Sequence, residues 1–596
     1  MKKRSEIADK YKWDFSDYFA SDEEWQKSFD SCAKEIKKVI TYSGKLTDEK
    51  TILSCFRFVE KMSLVLESLA IYASCNHDLN VADDKYQAML GKIENLATTA
   101  GEMSSFITPQ LCALDEEFLR GLLAKKSFAP YANSIKDVLR DKPHTLSEDN
   151  EKLLSMTGNF AGDFSTCHSN FENGDLKFNK VKNAQGKLLD MDQNLASIYL
   201  RDNDSVLREN AYKELQGAYG RYNNFLFANY LGSVKGDMFY AKARHFSSAL
   251  EKALYYEEVS PLVYTNLLKN VDSNLGLDYE YFALKKKMLG LKTFKLSDVY
   301  YNPMRLNKKY TYEQAMDTVY SALSLLGKDY VQELKNMASN RQIDVFPTEN
   351  KRGGAYETMA TRKTPRVLAN FMGSFNDVST LAHELGHAMH SVYSDRAQSI
   401  DNAGYTIFLA EIASTVNETI LSKYMIANAS SKQEKIYFIN EYLSEFHATV
   451  FRQTMFANFE EQIHSRVENG QDLSAKIVND IYFDLVSKYF GKGVKLFKEV
   501  QYEWSRIPHF YTAFYVYKYA TGIISAINIV QNLSSGKITV DDYKKFLSSG
   551  CTDTPTELLK IVKVDFDTEE PFAVAFDYIK TMLKDLKSLL VNSKNK

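Results

Sequence analysis

Residues 383–387 read His-Glu-Leu-Gly-His, and the spacing of the two histidines constrains the local fold more than any other feature of the sequence. Side chains four positions apart leave the same face of an α-helix one turn apart, so both imidazoles can bind one ion if the segment is helical. Apolar residues recur at helical spacing from Asp377 to His390, and Ser374 offers a capping oxygen. We therefore predict a zinc-binding helix on which Glu384 can reach a water on the ion. The alternative is a chance match on an ordinary amphipathic helix.

Two histidines leave a catalytic zinc site one protein ligand short. His390 lies roughly 10 Å along the helix axis from the first motif histidine, which is too far to share the ion. Tyr393 occupies the position at which a third histidine would extend the motif. An acidic residue on a later helix is therefore expected. Glu411 and Glu418 are seven residues apart on one helix face, so one can bind the ion while the other holds a ligand histidine. The alternative for either glutamate is a solvated helix charge.

The low number of helix-breaking residues indicates the fold class. The chain has 596 residues but only 10 prolines and 26 glycines, which favours long helices over a strand-and-turn architecture. This length exceeds what one hydrophobic core normally supports, so two or more lobes are expected. The sequence thus predicts a mainly α protein.

Charge, cysteine spacing and hydropathy exclude several classes of protein. The formal net charge of -3 argues against a nucleic-acid binder with a strongly basic surface. The six cysteines are scattered without a CxxC pair, so we expect neither a disulfide framework nor a thiolate metal site. The sequence contains no run of about 20 apolar residues, so we expect no membrane span. The N-terminus lacks the apolar core of a signal peptide. We expect a cytoplasmic protein with no nucleic-acid or membrane partner.

Two stretches break the helical pattern. Residues 175–191 alternate polar and apolar around the turn Asn183–Gly186, which predicts a hairpin. We place a domain boundary near its end, with a helical N-terminal lobe over residues 1–195 and a catalytic domain over 196–596. Arg366–Met372 predicts a strand that runs almost directly into the motif helix. If it is an edge strand, it can pair with an extended peptide; the alternative is an ordinary buried strand.

Further stretches resemble the M3 metallopeptidases, most of all those of the oligoendopeptidase F type. They are Gly354–Tyr356, Leu368–Ser374, Thr380–Ser391 and Glu411–Glu418 around the motif, and Lys10–Asp14, Pro143–Glu148 and Phe510–Gly522 elsewhere. The resemblance covers nearly the whole chain. It departs near the C-terminus, where Gly550-Cys551 and Val562–Asp565 stand in place of the expected Gly-Gly and Ala-Gly-Val-Asp.

The resemblance implies a mostly helical zinc endopeptidase limited to short peptides, with two lobes facing across a deep channel and a small β-sheet beside the zinc helix. It implies that His383, His387 and Glu411 bind one zinc ion per chain. Glu384 would take a proton from the attacking water and pass it to the leaving amine. Glu418 would then support a ligand histidine.

The resemblance also implies a late segment that stabilises the oxyanion. His509 and Tyr515 stand where family members carry a histidine and a tyrosine for this purpose, and Tyr511 is a weaker candidate. Tyr511, Tyr515 and Tyr519 recur every four residues, which predicts that they share a helix face. The alternative for all of them is aromatic packing.

The predicted function is hydrolysis of internal peptide bonds in short oligopeptides, by a monomer or a small homo-oligomer. Two alternatives remain open at this point. One is a homologue that binds peptides without cleaving them, although the intact Glu384 argues against it. The other is a zinc carboxypeptidase on a similar helical fold.

Overall fold

Capped helices make up most of the chain. The computed structural model describes residues 2–304, 306 and 308–591, and helices account for 71% of the protein. Polar residues start many of these helices; for example, the side chain of Ser21 accepts a hydrogen bond from the Glu24 N–H and that of Asp48 accepts one from the Thr51 N–H. The prediction of a mainly α fold is confirmed. None of the described helices combines the length and the apolar character that crossing a bilayer requires.

The α-helices of the described residues are, in chain order, α1 Asp22–Glu35, α2 Glu49–Leu79, α3 Asp84–Ser104, α4 Ile107–Cys112, α5 Glu116–Leu123, α6 Ala132–Asp141, α7 Glu148–Met156, α8 Gly158–Ala161, α9 Asp163–Asn170, α10 Gln193–Tyr199, α11 Ser205–Gly220, α12 Asn223–Ala243, α13 Ala249–Tyr256, α14 Pro261–Ser273, α15 Leu275–Met288, α16 Tyr312–Leu323, α17 Lys328–Ser339, α18 Phe375–Ala397, α19 Ile407–Ala427, α20 Lys432–Phe446, α21 Arg452–Glu468, α22 Ala475–Phe490, α23 Tyr517–Ser535, α24 Val540–Leu547, α25 Pro555–Ile561 and α26 Glu570–Val591.

Short strands form three small sheets in the described part of the chain. The strands are β1 Val181–Lys182, β2 Leu188–Leu189, β3 Phe294–Lys295, β4 Ile343–Asp344, β5 Tyr356–Thr358, β6 Arg366–Leu368 and β7 Val494–Lys495. Strands β1 and β2 pair antiparallel around the predicted turn, which confirms the hairpin. Strands β3 and β7 pair in parallel. The third sheet has the order β4-β6-β5, with β6 parallel to β4 and antiparallel to β5.

The chain packs into two compact units, each built from separate stretches. The first draws on residues 1–148, 307–424 and 529–563, and the second on 149–306, 425–528 and 564–596. The motif helix therefore shares its unit with the N-terminal helices. The domain division near residue 195 and the deep channel between lobes stay predictions.

In the first unit, the three-stranded sheet packs against α18, as expected for a small sheet beside the zinc helix. The N-terminal segment holds this sheet in place. The indole Nε1–H of Trp13 is shared by the carbonyl oxygens of Gln342 and Val367, each 3.0 Å away. The buried ammonium of Lys351 donates to Asp344 in β4 at 2.8 Å. These contacts fix the strand that leads into α18.

The strand predicted within Arg366–Met372 is present, but the interpretation of it as an edge strand is wrong and the alternative of a buried strand is confirmed. Strand β6 covers only Arg366–Leu368 and lies in the middle of the sheet, bonded to a neighbour on each side. The edge strand on the side away from β4 is β5. The sequence did not indicate this because Tyr356–Thr358 is too short to show an alternating pattern.

The second unit is centred on aromatic and ion-pair packing. Trp504 and Tyr482 are fully buried there, and the guanidinium of Arg452 donates to Glu503 at 2.7 Å. Burial alone would raise the pKa of Glu503, but the charges of Arg452 and Arg506 outweigh burial and hold this pKa low. The ion pair anchors the segment that leads into His509.

Candidate metal and catalytic site

A reciprocal cap starts the motif helix two turns before its first histidine. The Ser374 hydroxyl accepts a hydrogen bond from the Asp377 N–H at 3.2 Å, and the Asp377 carboxylate accepts one from the Ser374 N–H at 2.8 Å. The helix continues without a break to Ala397. His383 and His387 therefore leave the same face, as their spacing predicts.

Helix α19 crosses α18 at Gly386, which lies between the two histidines. A Cβ atom on Gly386 would stand 2.5 Å from the Cα of Ser414 and 2.7 Å from the carbonyl oxygen of Ala413. Only glycine allows the two backbones to approach this closely. The close crossing places the Glu411 side chain next to both imidazoles.

Three ligand-type atoms converge on one point. The Nε2 atoms of His383 and His387 are 3.2 Å apart, and Oε2 of Glu411 is 3.3 and 3.4 Å from them. On a tetrahedral zinc ion with bonds of about 2.0–2.1 Å, two ligand atoms stand about 3.3–3.4 Å apart. The three residues present thus fit a zinc ion in both donor type and spacing.

Glu418 contacts one of the two motif histidines. Its Oε2 lies 3.0 Å from Nδ1 of His383, and its Oε1 accepts a hydrogen bond from the Ser379 hydroxyl at 3.2 Å. A proton on Nδ1 leaves the Nε2 lone pair free for an ion. With no ion bound, burial disfavours a charged imidazole, but the hydrogen bonds to Glu411 and Glu418 outweigh burial and raise the pKa of His383 to about 11. An ion at Nε2 would displace the proton from that nitrogen.

The carboxyl groups of Glu411 and Glu384, which lie near the two motif histidines, differ in environment. Hydrogen bonds from His383 and His387 hold the pKa of Glu411 well below its usual range, so its ionised form, which a ligand needs, is favoured. Glu384 is only 7% exposed. Burial raises the pKa of Glu384, although the neighbouring histidines act in the opposite direction. Its carboxylate is consequently a better proton acceptor than one in water.

No sequence pattern indicates the second, partly buried carboxyl group that lies beside Glu384. Glu357, in β5, accepts a hydrogen bond from the Ser391 hydroxyl of α18 at 3.4 Å. Among the described residues its Oε1, which is buried, has no hydrogen-bond partner. Burial and the negative charge of Glu384 raise the pKa of Glu357 to about 8. Only the packing of β5 on α18 brings these two acids together.

His390 is packed in the core beside Tyr405. Its ring is buried and stacks on Tyr405 at 3.7 Å, and the Tyr405 hydroxyl is 3.0 Å from Oγ of Ser391. Burial and the nearby His387 lower the pKa of His390 to about 3, so its imidazole is neutral.

In the second unit, His509 and Tyr515 form an aromatic cluster with Tyr519. The Nε2 of His509 is 3.2 Å from the Tyr519 hydroxyl, and the His509 and Tyr515 rings stack with centroids 6.0 Å apart. The Tyr515 and Tyr519 rings are 5.5 Å apart. His509 is exposed and both tyrosines are half-buried, so the cluster is accessible from solvent.

The prediction that Tyr511 shares a helix face with this cluster is wrong. Helix α23 begins only at Tyr517, and Phe514 adopts a left-handed backbone conformation with φ of 56°. The buried carboxyl of Glu460 accepts the Phe514 N–H at 3.0 Å and so holds this turn. The Tyr511 hydroxyl instead accepts a hydrogen bond from Asn229 at 3.0 Å. A catalytic role for Tyr511 stays a prediction.

Comparisons with known proteins cover most of the chain. The sequence model of peptidase family M3 matches residues 198–578, and that of Oligopeptidase F matches residues 110–178. The chain is 35% identical to oligopeptidase PepF of Bacillus subtilis, over 99% of this chain and 89% of that protein.

Solved structures show the same fold. A crystal structure of a candidate peptidase from Chlamydophila abortus is 33% identical and has a TM-score of 0.93, covering 99% of this chain and 100% of the other. The crystal structure of oligoendopeptidase-F from Enterococcus faecium is 26% identical with a TM-score of 0.74, over 96% and 99% of the two chains.

Proposed function

Because this chain belongs to peptidase family M3 and is a metalloendopeptidase, we propose that it cleaves internal bonds of short peptides with one zinc ion held by His383, His387 and Glu411. The observation that carries the proposal is the separation of the three ligand atoms, 3.2, 3.3 and 3.4 Å. These distances match the edges of one ligand tetrahedron.

Each residue around the proposed zinc ion has a separate role in the reaction. Zinc, when bound, polarises the scissile carbonyl and lowers the pKa of a water at the site. Glu384 accepts a proton from the attacking water and delivers it to the nitrogen of the leaving amine as the C–N bond breaks. Glu418 keeps the His383 ring in the orientation and tautomer that leave Nε2 free.

His509 and Tyr515 are proposed donors to the oxyanion that develops on the scissile carbonyl. The proposal rests on their match to family positions and on their contact within one accessible aromatic cluster. An imidazole N–H and a phenol O–H both donate hydrogen bonds, as stabilisation of an oxyanion requires.

The peptide backbone is proposed to bind along the outer edge of β5. The N–H groups of Val367 and Ala369 bond to carbonyl oxygens at Gln342 and Asp344. Since N–H directions alternate along a strand, Arg366 and Leu368 face β5, where they pair with Thr358 and Tyr356. The backbone N–H and C=O of Glu357, between those two partners, therefore point outward. An extended peptide added there gains main-chain hydrogen bonds whatever its sequence.

The decisive experiment combines metal analysis with peptide cleavage. We expect about one zinc per purified chain, and we expect Glu384→Gln to retain the zinc while losing cleavage of a quenched peptide of about ten residues. The exposed Glu116→Gln serves as the matched control for losing one glutamate charge. Undiminished cleavage by Glu384→Gln, or protein active without zinc, would refute the proposal.

Mass spectrometry of the products tests the substrate class. Internal cleavage of short peptides is expected, whereas stepwise release of single C-terminal residues would indicate a carboxypeptidase. Resistance of a stable folded domain to the enzyme is expected as well. Light scattering under the same conditions tests whether the protein is a monomer or a small homo-oligomer.

A further inference from the structure

A cavity of about 270 Å³ opens beside the first turns of α18. Its walls come from three places: the residues before β5, the residues after β6 and the helix itself. Those that matter here are Ala355, Asn370, Phe371, Met372, Thr380 and Leu381.

The cavity lies one helical turn from the proposed catalytic glutamate. Thr380 precedes His383 by three residues and Glu384 by four, so these side chains share a face of α18. On the sheet side, Ala355 immediately precedes β5. A peptide paired with the outer edge of β5 would therefore pass the cavity and the catalytic helix face together.

Two polar side chains in the cavity wall, those of Asn370 and Asp377, hold the neighbouring loops. The side-chain amide of Asn370 donates to the carbonyl oxygens of Arg352 and Gly354, at 2.9 and 2.7 Å. One carboxylate oxygen of Asp377 accepts the N–H groups of Met372 and Ser374. The described lining contains no lysine or arginine. An acidic guest would therefore lose hydration there without gaining an oppositely charged partner.

Apolar side chains form another part of the wall that a guest would contact. Phe371 and Leu381 are buried behind it, and Met372 is 72% exposed at its rim. A thioether on a flexible side chain adapts to guests of different shape. At the rim of the cavity, this side chain would contact an apolar guest that enters.

The size of the cavity limits the guest. Pockets that take a whole drug-sized molecule measure about 300–1,000 Å³, and an apolar cavity of about 150 Å³ holds benzene. A cavity of about 270 Å³ thus accommodates one leucine-sized or phenylalanine-sized side chain.

We propose that this cavity is a specificity site that receives one large apolar side chain of the peptide substrate, at a fixed position relative to the bond that is cut. The proposal rests on the proposed peptidase function. The position is fixed because the β5 edge sets the register of the peptide, while α18 carries both the cavity wall and Glu384. An apolar pocket of this kind discriminates modestly, by about 10–200-fold between side chains that differ by one methylene group.

The test uses zinc-loaded full-length enzyme and two steps. Cleavage sites in a mixed peptide library should first show enrichment of leucine, phenylalanine or methionine at one position. A pair of quenched peptides with leucine or glycine at that position then measures discrimination as the ratio of their kcat/KM values. We expect a ratio of at least about tenfold for the natural chain.

Two variants alter the cavity from different sides. Ala355→Phe fills it and should lower the leucine-to-glycine ratio by about tenfold. Met372→Ala removes the rim and should lower the ratio by a smaller factor, without a risk of overpacking. Met156→Ala is the matched control, since Met156 is 59% exposed in the other unit, and it should leave the ratio unchanged.

The outcomes separate this proposal from the peptidase proposal. Zinc-dependent cleavage with no apolar preference at any position would overturn the specificity site and leave the peptidase function standing. The specificity site would also be overturned if neither Ala355→Phe nor Met372→Ala changed the leucine-to-glycine ratio of kcat/KM values. A protein that lacks zinc and cleaves no peptide would overturn both.

Discussion

Gly386 of α18 lies against Ser414 of α19 so closely that a Cβ atom on the glycine would stand 2.5 Å from the serine Cα. This contact lies between the two motif histidines and three residues beyond Glu411 along α19. The helix crossing, more than any single side chain, therefore sets the distances among the three proposed ligands.

Gly386→Ala should separate the two helices and weaken zinc binding. The added methyl group meets backbone atoms, which cannot rotate away, so the crossing has to widen. We expect lower zinc content and a lower Tm, measured by metal analysis and thermal unfolding. Gly217→Ala is the matched control, because a Cβ atom there meets nothing within 4 Å, and helix propensity alone predicts stabilisation by up to about 1 kcal/mol. Full zinc content in Gly386→Ala would contradict the role of the crossing.

Glu418→Gln should lower zinc affinity by about 10–100-fold while leaving all three ligands in place. The amide keeps the size of the side chain but loses the charge that favours the Nδ1–H tautomer of His383. Competition with a chelator measures the affinity. Glu411→Gln is the comparison, since it alters a ligand directly and should cause a larger loss. Equal affinities of Glu418→Gln and the natural chain would exclude an orienting role.

His509→Ala and Tyr515→Phe should each reduce kcat by about 10²–10³-fold with unchanged zinc content. The expected loss arises because a donor to the oxyanion acts in the transition state and not in metal binding. Tyr511→Phe distinguishes Tyr511 from this cluster, since its hydroxyl is engaged by Asn229. A lower Tm together with an unchanged kcat in this variant would indicate that Tyr511 has a structural role.

Glu357→Gln should stabilise the protein increasingly as the pH rises from about 5 to 8. The pKa of Glu357 is raised from its ordinary value of 4.5 to about 8 by burial and by Glu384. Between these values the folded state keeps a proton that the unfolded state has released, so the free energy of unfolding falls as the pH rises. Glutamine cannot ionise, so the variant avoids this loss, which amounts to about 1.4 kcal/mol for each pH unit in this interval.

Thermal unfolding at several pH values measures that gain as a Tm difference from the natural chain. The difference should grow up to about pH 8 and then level off. Glu116→Gln controls for the removal of one exposed carboxyl. Parallel Tm curves for Glu357→Gln and the natural chain would show that burial of Glu357 has no such effect.

Several features follow from the sequence because they depend on local spacing alone. A four-residue interval places His383 and His387 on one helix face, and Ser374 starts that helix through a local cap. A seven-residue interval likewise places Glu411 and Glu418 on one face. The scarcity of proline and glycine was enough to predict a mainly helical chain.

The sequence failed where backbone conformation depends on distant partners. Tyr511, Tyr515 and Tyr519 have helical spacing, yet the turn at Phe514 interrupts the helix because the buried Glu460 holds its N–H. Strand β6 reads as a possible edge, but β4 and β5 cover both of its sides. Periodicity reports which faces are apolar and does not report what packs against them.

The sequence by itself determined the identity of the zinc-type donors and the helices that carry them, because these are properties of intervals along the chain. Only the tertiary structure decided how far apart the donors stand, which buried acid faces Glu384, and where a cavity remains beside α18. Those features depend on contacts between segments far apart in the chain, such as Gly386 with Ser414 and β5 with α18. Close packing sets such distances to within tenths of an ångström, and no local pattern encodes them.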